Sequence, residues 1–126
     1  RIAQYLPIEL MLPAVGQGAL GLQIRKTDSE LLKVLSKLNH PPTAMEVTAE
    51  RSYLRALGGG CRLPIAAYGL LEGQRLTLQG LVAAPNGTSV IRDKVWGALD
   101  EAEELGKKLA NMIMEKGGKQ LLKLVC

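Results

Sequence analysis

Residues 56–64 read Ala-Leu-Gly-Gly-Gly-Cys-Arg-Leu-Pro, and this stretch marks the point where a helix ends and a sheet begins. Glycine adopts the positive φ that closes a helix, and Pro64 cannot continue one, so the chain leaves in an extended conformation. Cys61 follows three residues without side chains, which leaves open space beside its thiol. Two interpretations remain open here: a helix stop with a small buried cysteine, or a thiol placed to carry a bulky group.

The segments around this stretch predict an α+β fold with a domain in the order α-β-β-β-α, that is, a three-stranded antiparallel sheet covered by helices on one face. Three strands are predicted over residues 65–71, 75–83 and 89–96. The second hairpin is indicated by Pro85-Asn86-Gly87, because Asn-Gly accepts positive φ. Leu76, Leu78 and Val82 are expected on the face covered by helices.

Three capping boxes predict where helices begin: Thr27 with Glu30, Thr43 with Glu46, and Asp100 with Glu103. In the helix before the glycines we expect Val47, Leu54 and Leu57 to be buried and Glu50, Arg51 and Arg55 to form a solvated face. The last helix is expected to bury Ala102, Leu105, Leu109 and Met112 and to stop at Gly117-Gly118, before one more short helical turn over residues 121–125.

The N-terminal third reads as pieces of other domains. Residues 19–25 are predicted to form a strand with Leu20, Leu22 and Ile24 on one face, and the helix after it carries an apolar stripe of Leu31, Val34, Leu35 and Leu38. His40 precedes two prolines and is interpreted as a solvated turn residue. The chain opens on Arg1 without an initiator methionine, which indicates a piece of a longer protein.

Composition restricts the class of protein. The 126 residues, 47% hydrophobic and 22% charged, are typical of a soluble globular protein with one modest core. The net charge of +4 permits an anionic partner without requiring one. No apolar run is long enough for a membrane span, and the two cysteines lie in no metal-binding pattern. We therefore expect a cytoplasmic protein with no membrane partner and no metal site.

Several stretches together resemble the porphobilinogen deaminase (hydroxymethylbilane synthase) family, over essentially all 126 residues and as its C-terminal portion. They are, in order, LPAVGQGALG at 12–21, LNH at 38–40, TAERSYL at 48–54, GGCRLPIAAY at 59–68 and GLVAAPNG at 80–87. The resemblance implies a transferase of porphyrin and heme biosynthesis that joins four porphobilinogen units with release of ammonia, giving the linear tetrapyrrole hydroxymethylbilane.

The same resemblance implies the site residues. Cys61 would hold a dipyrromethane cofactor through a thioether, and Gln17 and Gly18 would lie beside that cofactor and hydrogen-bond it. Residues 1–18 would be the end of the second domain and a hinge segment, 19–38 the strand and helix returning to the first domain, and 39–126 the cofactor-attachment domain. The family's catalytic aspartate and most of its substrate-binding arginines have no match in this chain.

The chain alone is therefore expected to be inactive and to need the N-terminal portion of the enzyme, either in the same polypeptide or as a separate chain. The complete enzyme is expected to be monomeric. The alternative is a small nucleic-acid-binding or interaction domain, since α-β-β-β-α is also the order of double-stranded RNA-binding domains. Those domains need lysines at the start of the last helix, where this chain has Asp100-Glu101-Ala102-Glu103-Glu104. No nucleic-acid partner is therefore expected.

Overall fold

The sheet has three antiparallel strands, and the computed structural model describes residues 1–59 and 64–123. The strands are β1 (Ile65–Glu72), β2 (Arg75–Ala83) and β3 (Val90–Ala98), in the spatial order β1-β2-β3. Leu78 of β2 lies opposite Gly69 of β1 and Val95 of β3. In the second hairpin Gly87 has φ +72° and its N–H donates to the Ala84 carbonyl at 2.9 Å, as the Asn-Gly pair predicts.

In the described ranges four α-helices accompany the sheet: α1 (Ser29–Leu35), α2 (Pro41–Ala56), α3 (Ala102–Ile113) and α4 (Lys119–Lys123). Short 3₁₀ turns cover Ser36–Leu38 and Leu99–Glu101. The chain bends sharply after α3 because Gly117 has φ +108°, and α4 follows. The predicted α+β class, the α-β-β-β-α order and the helix stop at the glycine pair are confirmed. Residues 124–126, which include Cys126, lie outside the described residues.

The core lies between one face of the sheet and helices α2 and α3. Helix α2 packs on β1, α3 packs on β2 and β3, and the two helices pack on each other. Leu76, Leu78 and Val82 of β2 are fully buried there, as the alternation predicts. Tyr53 of α2 is also fully buried, and its hydroxyl donates to the Leu81 carbonyl at 3.2 Å.

The predicted inner face of α2 is wrong by part of a turn. Ala49, Glu50, Ser52 and Tyr53 are the buried residues of this helix, whereas Val47 and Leu54 are only half-buried. Leu57, just past the helix end, is buried as expected. The contact with α3 determines which face of α2 is buried. The two helices lie so close together that small residues are needed where they cross, so the number of aliphatic side chains does not predict the buried face. Arg51 and Arg55 are exposed, as predicted, but Glu50 is not.

The N-terminal third also differs from expectation. Residues 19–25 form no strand, because a strand is completed by hydrogen bonds to a neighbour and no described strand lies beside them. Leu20 is accordingly 98% exposed. Helix α1 exists as predicted, but none of its residues is buried, so its apolar stripe has no partner among the described residues.

The helices are capped by residues other than those of the three predicted capping boxes. Asp28, not Thr27, caps α1 by accepting from the Leu31 N–H at 3.1 Å. His40 caps α2, where its Nδ1 accepts from the Thr43 N–H at 3.4 Å, so it is a capping residue as well as an exposed one. Before α3, Glu101 accepts from the Ala98 N–H at 3.1 Å. Each cap satisfies a helix-terminal N–H that would otherwise need water.

Across residues 1–59 and 64–123, the structure contains no helix with the length and apolar content needed to cross a membrane.

Candidate functional site

The C-terminal end of α2 leads to the glycine triplet. Gly58 and Gly59 have φ +94° and +57°, and their N–H groups donate to the carbonyls of Arg55 and Leu54, each at 3.0 Å. This pair of bonds is a Schellman motif, the helix stop that the sequence predicts. Within the part of the chain that the structure describes, a Cβ added at either glycine would meet no atom within 4 Å, so no described side chain fills the space beside these two residues. Cys61 itself lies outside the described residues.

The second glycine-bearing stretch forms two consecutive turns. The Gln17 N–H donates to the Ala14 carbonyl at 3.0 Å, and the Ala19 N–H donates to the Gly16 carbonyl at 3.2 Å. Gly16 and Gly18 have φ +72° and +82°, a conformation that glycine adopts without strain. Gln17 and Gly18 are exposed, so both can contact a ligand outside the core.

This turn is bound to the sheet and to α2. The Pro13 carbonyl accepts from the Ala67 N–H of β1 at 3.2 Å. One oxygen of Glu50, Oε2, accepts from the Gly16 N–H at 2.7 Å, and the other, Oε1, accepts from the Gly69 N–H of β1 at 2.8 Å. Leu12 is buried and Val15 packs against the core. The stretch that carries Gln17 is therefore held at a defined place on the domain.

Glu50 is the residue that sequence analysis missed. It is 6% exposed, and burial raises the pKa of its carboxyl, although the N–H groups of Gly69 and Gly16 partly oppose the rise and the nearby Glu46 carboxylate adds to it. A signal was present in the sequence. Glu50 lies on the same helical stripe as Tyr53 and Leu57, both of which are buried, and a carboxylate at such a position needs a partner.

Two other carboxylates, Asp28 and Asp93, lie in ion pairs. Asp28 lies 3.6 Å from the Arg25 guanidinium, and Asp93 lies 2.8 Å from the Lys116 ammonium. Within the described ranges, no group of three or more potential metal ligands occurs. A groove of about 840 Å³ runs past Arg75, Trp96 and Lys108, and neither Gln17 nor Gly18 lines it. The described residues thus present binding geometry at the turn rather than an acid–base pair.

The two glycine-bearing stretches fit an organic group with polar edges. Among the described residues, no side chain fills the space beside Gly58 and Gly59, and Gln17 offers both a donor and an acceptor on an exposed turn. Glu50, which anchors that turn, precedes Leu57 by seven residues, about 10 Å along the helix axis.

Comparisons with known proteins agree with this architecture. A family model described as "Porphobilinogen deaminase, C-terminal domain" matches residues 44–115, which contain most of α2, the sheet and α3. A second, described as "Porphobilinogen deaminase, dipyromethane cofactor binding domain", matches residues 1–33. The fold and the two matches define a chain that carries parts of two domains of one enzyme family.

Curated relatives extend the match along the whole chain. The porphobilinogen deaminase of Pelobacter propionicus is 43% identical over 125 residues, and that of Alkaliphilus metalliredigens is 45% identical over 125 residues. Each alignment covers 99% of this chain and 40% of the relative. The chain belongs to the porphobilinogen deaminase family. It spans about 40% of the length of the curated relatives it matches.

Proposed function

We propose that this chain is the C-terminal part of a porphobilinogen deaminase (hydroxymethylbilane synthase) that joins four porphobilinogen units, with release of ammonia, to give hydroxymethylbilane. The observation that carries the proposal is the 43% identity to a porphobilinogen deaminase over 99% of the chain. The acidic first turn of α3, with Glu103 and Glu104, disfavours the alternative of a nucleic-acid-binding domain, because it would repel phosphates.

Three residues would hold the dipyrromethane cofactor. Cys61 would attach it through a thioether, and Gln17 and Gly18 would hydrogen-bond it from the exposed turn. When bound, the dipyrromethane supplies the primer to which porphobilinogen is joined. The described surroundings support this assignment through the open space at Gly58 and Gly59 and the anchored turn at Gly16.

Cys61 would act as a tether rather than as a nucleophile in each turnover. It follows the C-terminal end of α2, where the helix dipole is negative and opposes formation of a thiolate. Attachment of a cofactor happens once, so it does not require a strongly lowered thiol pKa. Arg62, the next residue, would partly offset the dipole.

The domain assignment belongs to the same proposal. Residues 1–18 would end the second domain and form a hinge, residues 19–38 would return to the first domain, and residues 39–126 would form the attachment domain. We further propose a cytoplasmic and monomeric complete enzyme.

The tether is tested by intact-mass spectrometry of the complete polypeptide, together with the absorbance after Ehrlich's aldehyde reagent. We expect an added dipyrrole mass in the wild type, no added mass in Cys61→Ser, and an unchanged adduct in the matched control Cys126→Ser. An adduct that survives Cys61→Ser, or one that is lost in Cys126→Ser, would refute the assignment.

The need for the rest of the enzyme is tested by consumption of porphobilinogen. The 126-residue chain alone should consume no porphobilinogen. The family's catalytic aspartate and most of its substrate-binding arginines have no match in this chain. Addition of the N-terminal portion should restore consumption. Turnover by the isolated chain would contradict the proposal.

A further inference from the structure

The outer edge of β1 is closed by groups that do not belong to the sheet. β1 is an edge strand, and such a strand presents N–H groups that need partners. The N–H groups of Ala67, Gly69 and Leu71 point to this edge, since alternate residues share one direction. Their acceptors are the Pro13 carbonyl at 3.2 Å, Glu50 Oε1 at 2.8 Å and Glu46 Oε1 at 2.9 Å, respectively.

Two carboxylates one helical turn apart therefore do similar work, but only one of them has a second partner. Helix α2 crosses β1 closely enough that a Cβ on Gly69 would lie 3.0 Å from the Glu46 Cα. Glu46 uses one oxygen, on Leu71. Glu50 uses both, and its second bond reaches Gly16, which is 34 residues away in sequence. Glu50 thus joins three parts of the molecule: α2, β1 and the turn that carries Gln17.

The chemistry explains why a carboxylate stands at position 50. An amide side chain has a single acceptor oxygen, whereas an ionised carboxylate accepts on two. Here one N–H donor faces each oxygen of residue 50, so a glutamine would present its NH₂ group to one of the two donors. Burial of a charge is unfavourable, and the two charge-assisted hydrogen bonds offset that penalty. If residue 50 only satisfied the Gly69 N–H at the edge of β1, a single acceptor oxygen would suffice.

We propose that Glu50 is a positioning residue, which ties the Gly16–Gly18 turn to the edge of β1 and so fixes the place of Gln17 relative to α2 and β1. Gly16 is held on both sides, because its N–H binds Glu50 and its carbonyl binds the Ala19 N–H at 3.2 Å. Gln17 lies inside the turn that the second of these bonds closes. Its role toward the cofactor rests on the proposed function, whereas the anchoring of the turn does not.

The anchoring is tested by amide hydrogen exchange on the complete protein. In Glu50→Gln only one acceptor oxygen remains. The new NH₂ group faces one of the two backbone N–H donors and cannot accept a hydrogen bond from it. We expect exchange across residues 14–18 to rise by about tenfold, the size expected for one lost charge-assisted hydrogen bond. The matched control Glu46→Gln keeps its single acceptor and should leave residues 14–18 unchanged. Unchanged exchange in Glu50→Gln, or equal increases in both variants, would overturn the proposal.

A second measurement needs no variant, in case Glu50→Gln does not fold. The amide protons of Gly16 and Gly69 bind the same carboxylate, so their NMR shifts should titrate together with one midpoint. Independent titration of Gly16 and Gly69 would overturn the proposal.

The functional half is tested by the fraction of the complete protein that carries the dipyrrole adduct. If Glu50 acts through Gln17, then Glu50→Gln and Gln17→Ala should each lower that fraction, and the double variant should lose no more than the stronger single variant. Independent, additive losses would overturn the positioning role. Failure of the proposed function is distinguishable, because it appears as an adduct retained in Cys61→Ser while the exchange results stand.

Discussion

At the scale of a residue, Gly106 sets the distance between α2 and α3. A Cβ at this position would lie 2.5 Å from the Ala49 carbonyl oxygen and 2.6 Å from the Tyr53 nitrogen, both of them backbone atoms. The Ser52 hydroxyl donates to the Glu103 carbonyl at 2.7 Å across the same contact. The helices therefore pack backbone against backbone, and no flexible side chain can move aside.

Gly106→Ala should destabilise the protein by about 1–3 kcal/mol, because overpacking at a rigid contact forces the helices apart. The control is Gly21→Ala, where an added Cβ meets no atom within 4 Å and φ is not positive. Urea unfolding of both variants measures the difference. Equal midpoints for Gly106→Ala and the wild type would show that the helix contact is looser than described.

Asp93 provides a prediction about pH. The Lys116 ammonium, 2.8 Å from Asp93 Oδ2, lowers the pKa of the Asp93 carboxyl, although burial opposes it. Because the folded pKa lies below the unfolded one, the pair contributes stability above the ordinary aspartate pKa of 3.8, and this contribution is lost as pH falls through the folded pKa.

Lys116→Met should accordingly lower the free energy of unfolding at neutral pH by about 0.5–1 kcal/mol, since the ammonium is half exposed. The difference from the wild type should vanish in acid. Lys119→Met, an exposed lysine with no ion pair among the described residues, serves as the control. Denaturant titrations at neutral pH and at pH 2 measure it; a deficit that persists in acid would assign the loss to packing.

At the scale of an element, signals local in sequence predicted the structure well. The bounds of β2, residues 75–83, follow from alternation between two glycine-bearing turns and agree with the structure. The Schellman stop at Gly58 and Gly59 and the bend at Gly117 follow from the conformational freedom of glycine. Neighbouring residues supply all the information that these features need.

Features that depend on a distant partner were not predictable in this way. Nothing near residue 50 announces Gly16 or Gly69, so Glu50 reads as a surface charge until the fold brings them together. Likewise, the apolar residues of 19–25 suggest a strand, but a strand exists only beside another. Of the site residues, Gln17 and Gly18 lie on an exposed turn, and their role, like that of Cys61, remains a prediction.

At the scale of the whole molecule, the N-terminal segment crosses the sheet face that the helices leave uncovered. The Arg92 guanidinium of β3 donates to the Glu9 carbonyl at 2.7 Å, to the Ile8 carbonyl at 2.9 Å and to Gln79 Oε1 at 3.1 Å. The rigid fork of arginine can bind several acceptors at once. One side chain thus joins a segment more than 80 residues earlier to the sheet.

Arg92→Ala should release this segment while the core stays folded. We expect faster amide exchange and faster proteolysis across residues 5–11, with the unfolding midpoint nearly unchanged, because the bonds lie outside the helix–sheet core. Lys94→Ala lies two residues along the same strand and face and is the control. Protection of residues 5–11 that survives Arg92→Ala would assign their position to apolar contacts instead.

Trp96 lies on that same uncovered face, 63% exposed, with the Arg75 guanidinium 4.5 Å from the ring centroid. It is the only tryptophan in the chain. Its fluorescence therefore reports on the solvent exposure of this surface. A polypeptide that binds there would exclude water from the ring and shift the emission to shorter wavelength. Trp96 is thus an intrinsic fluorescence probe of binding at this face, and no added label is needed.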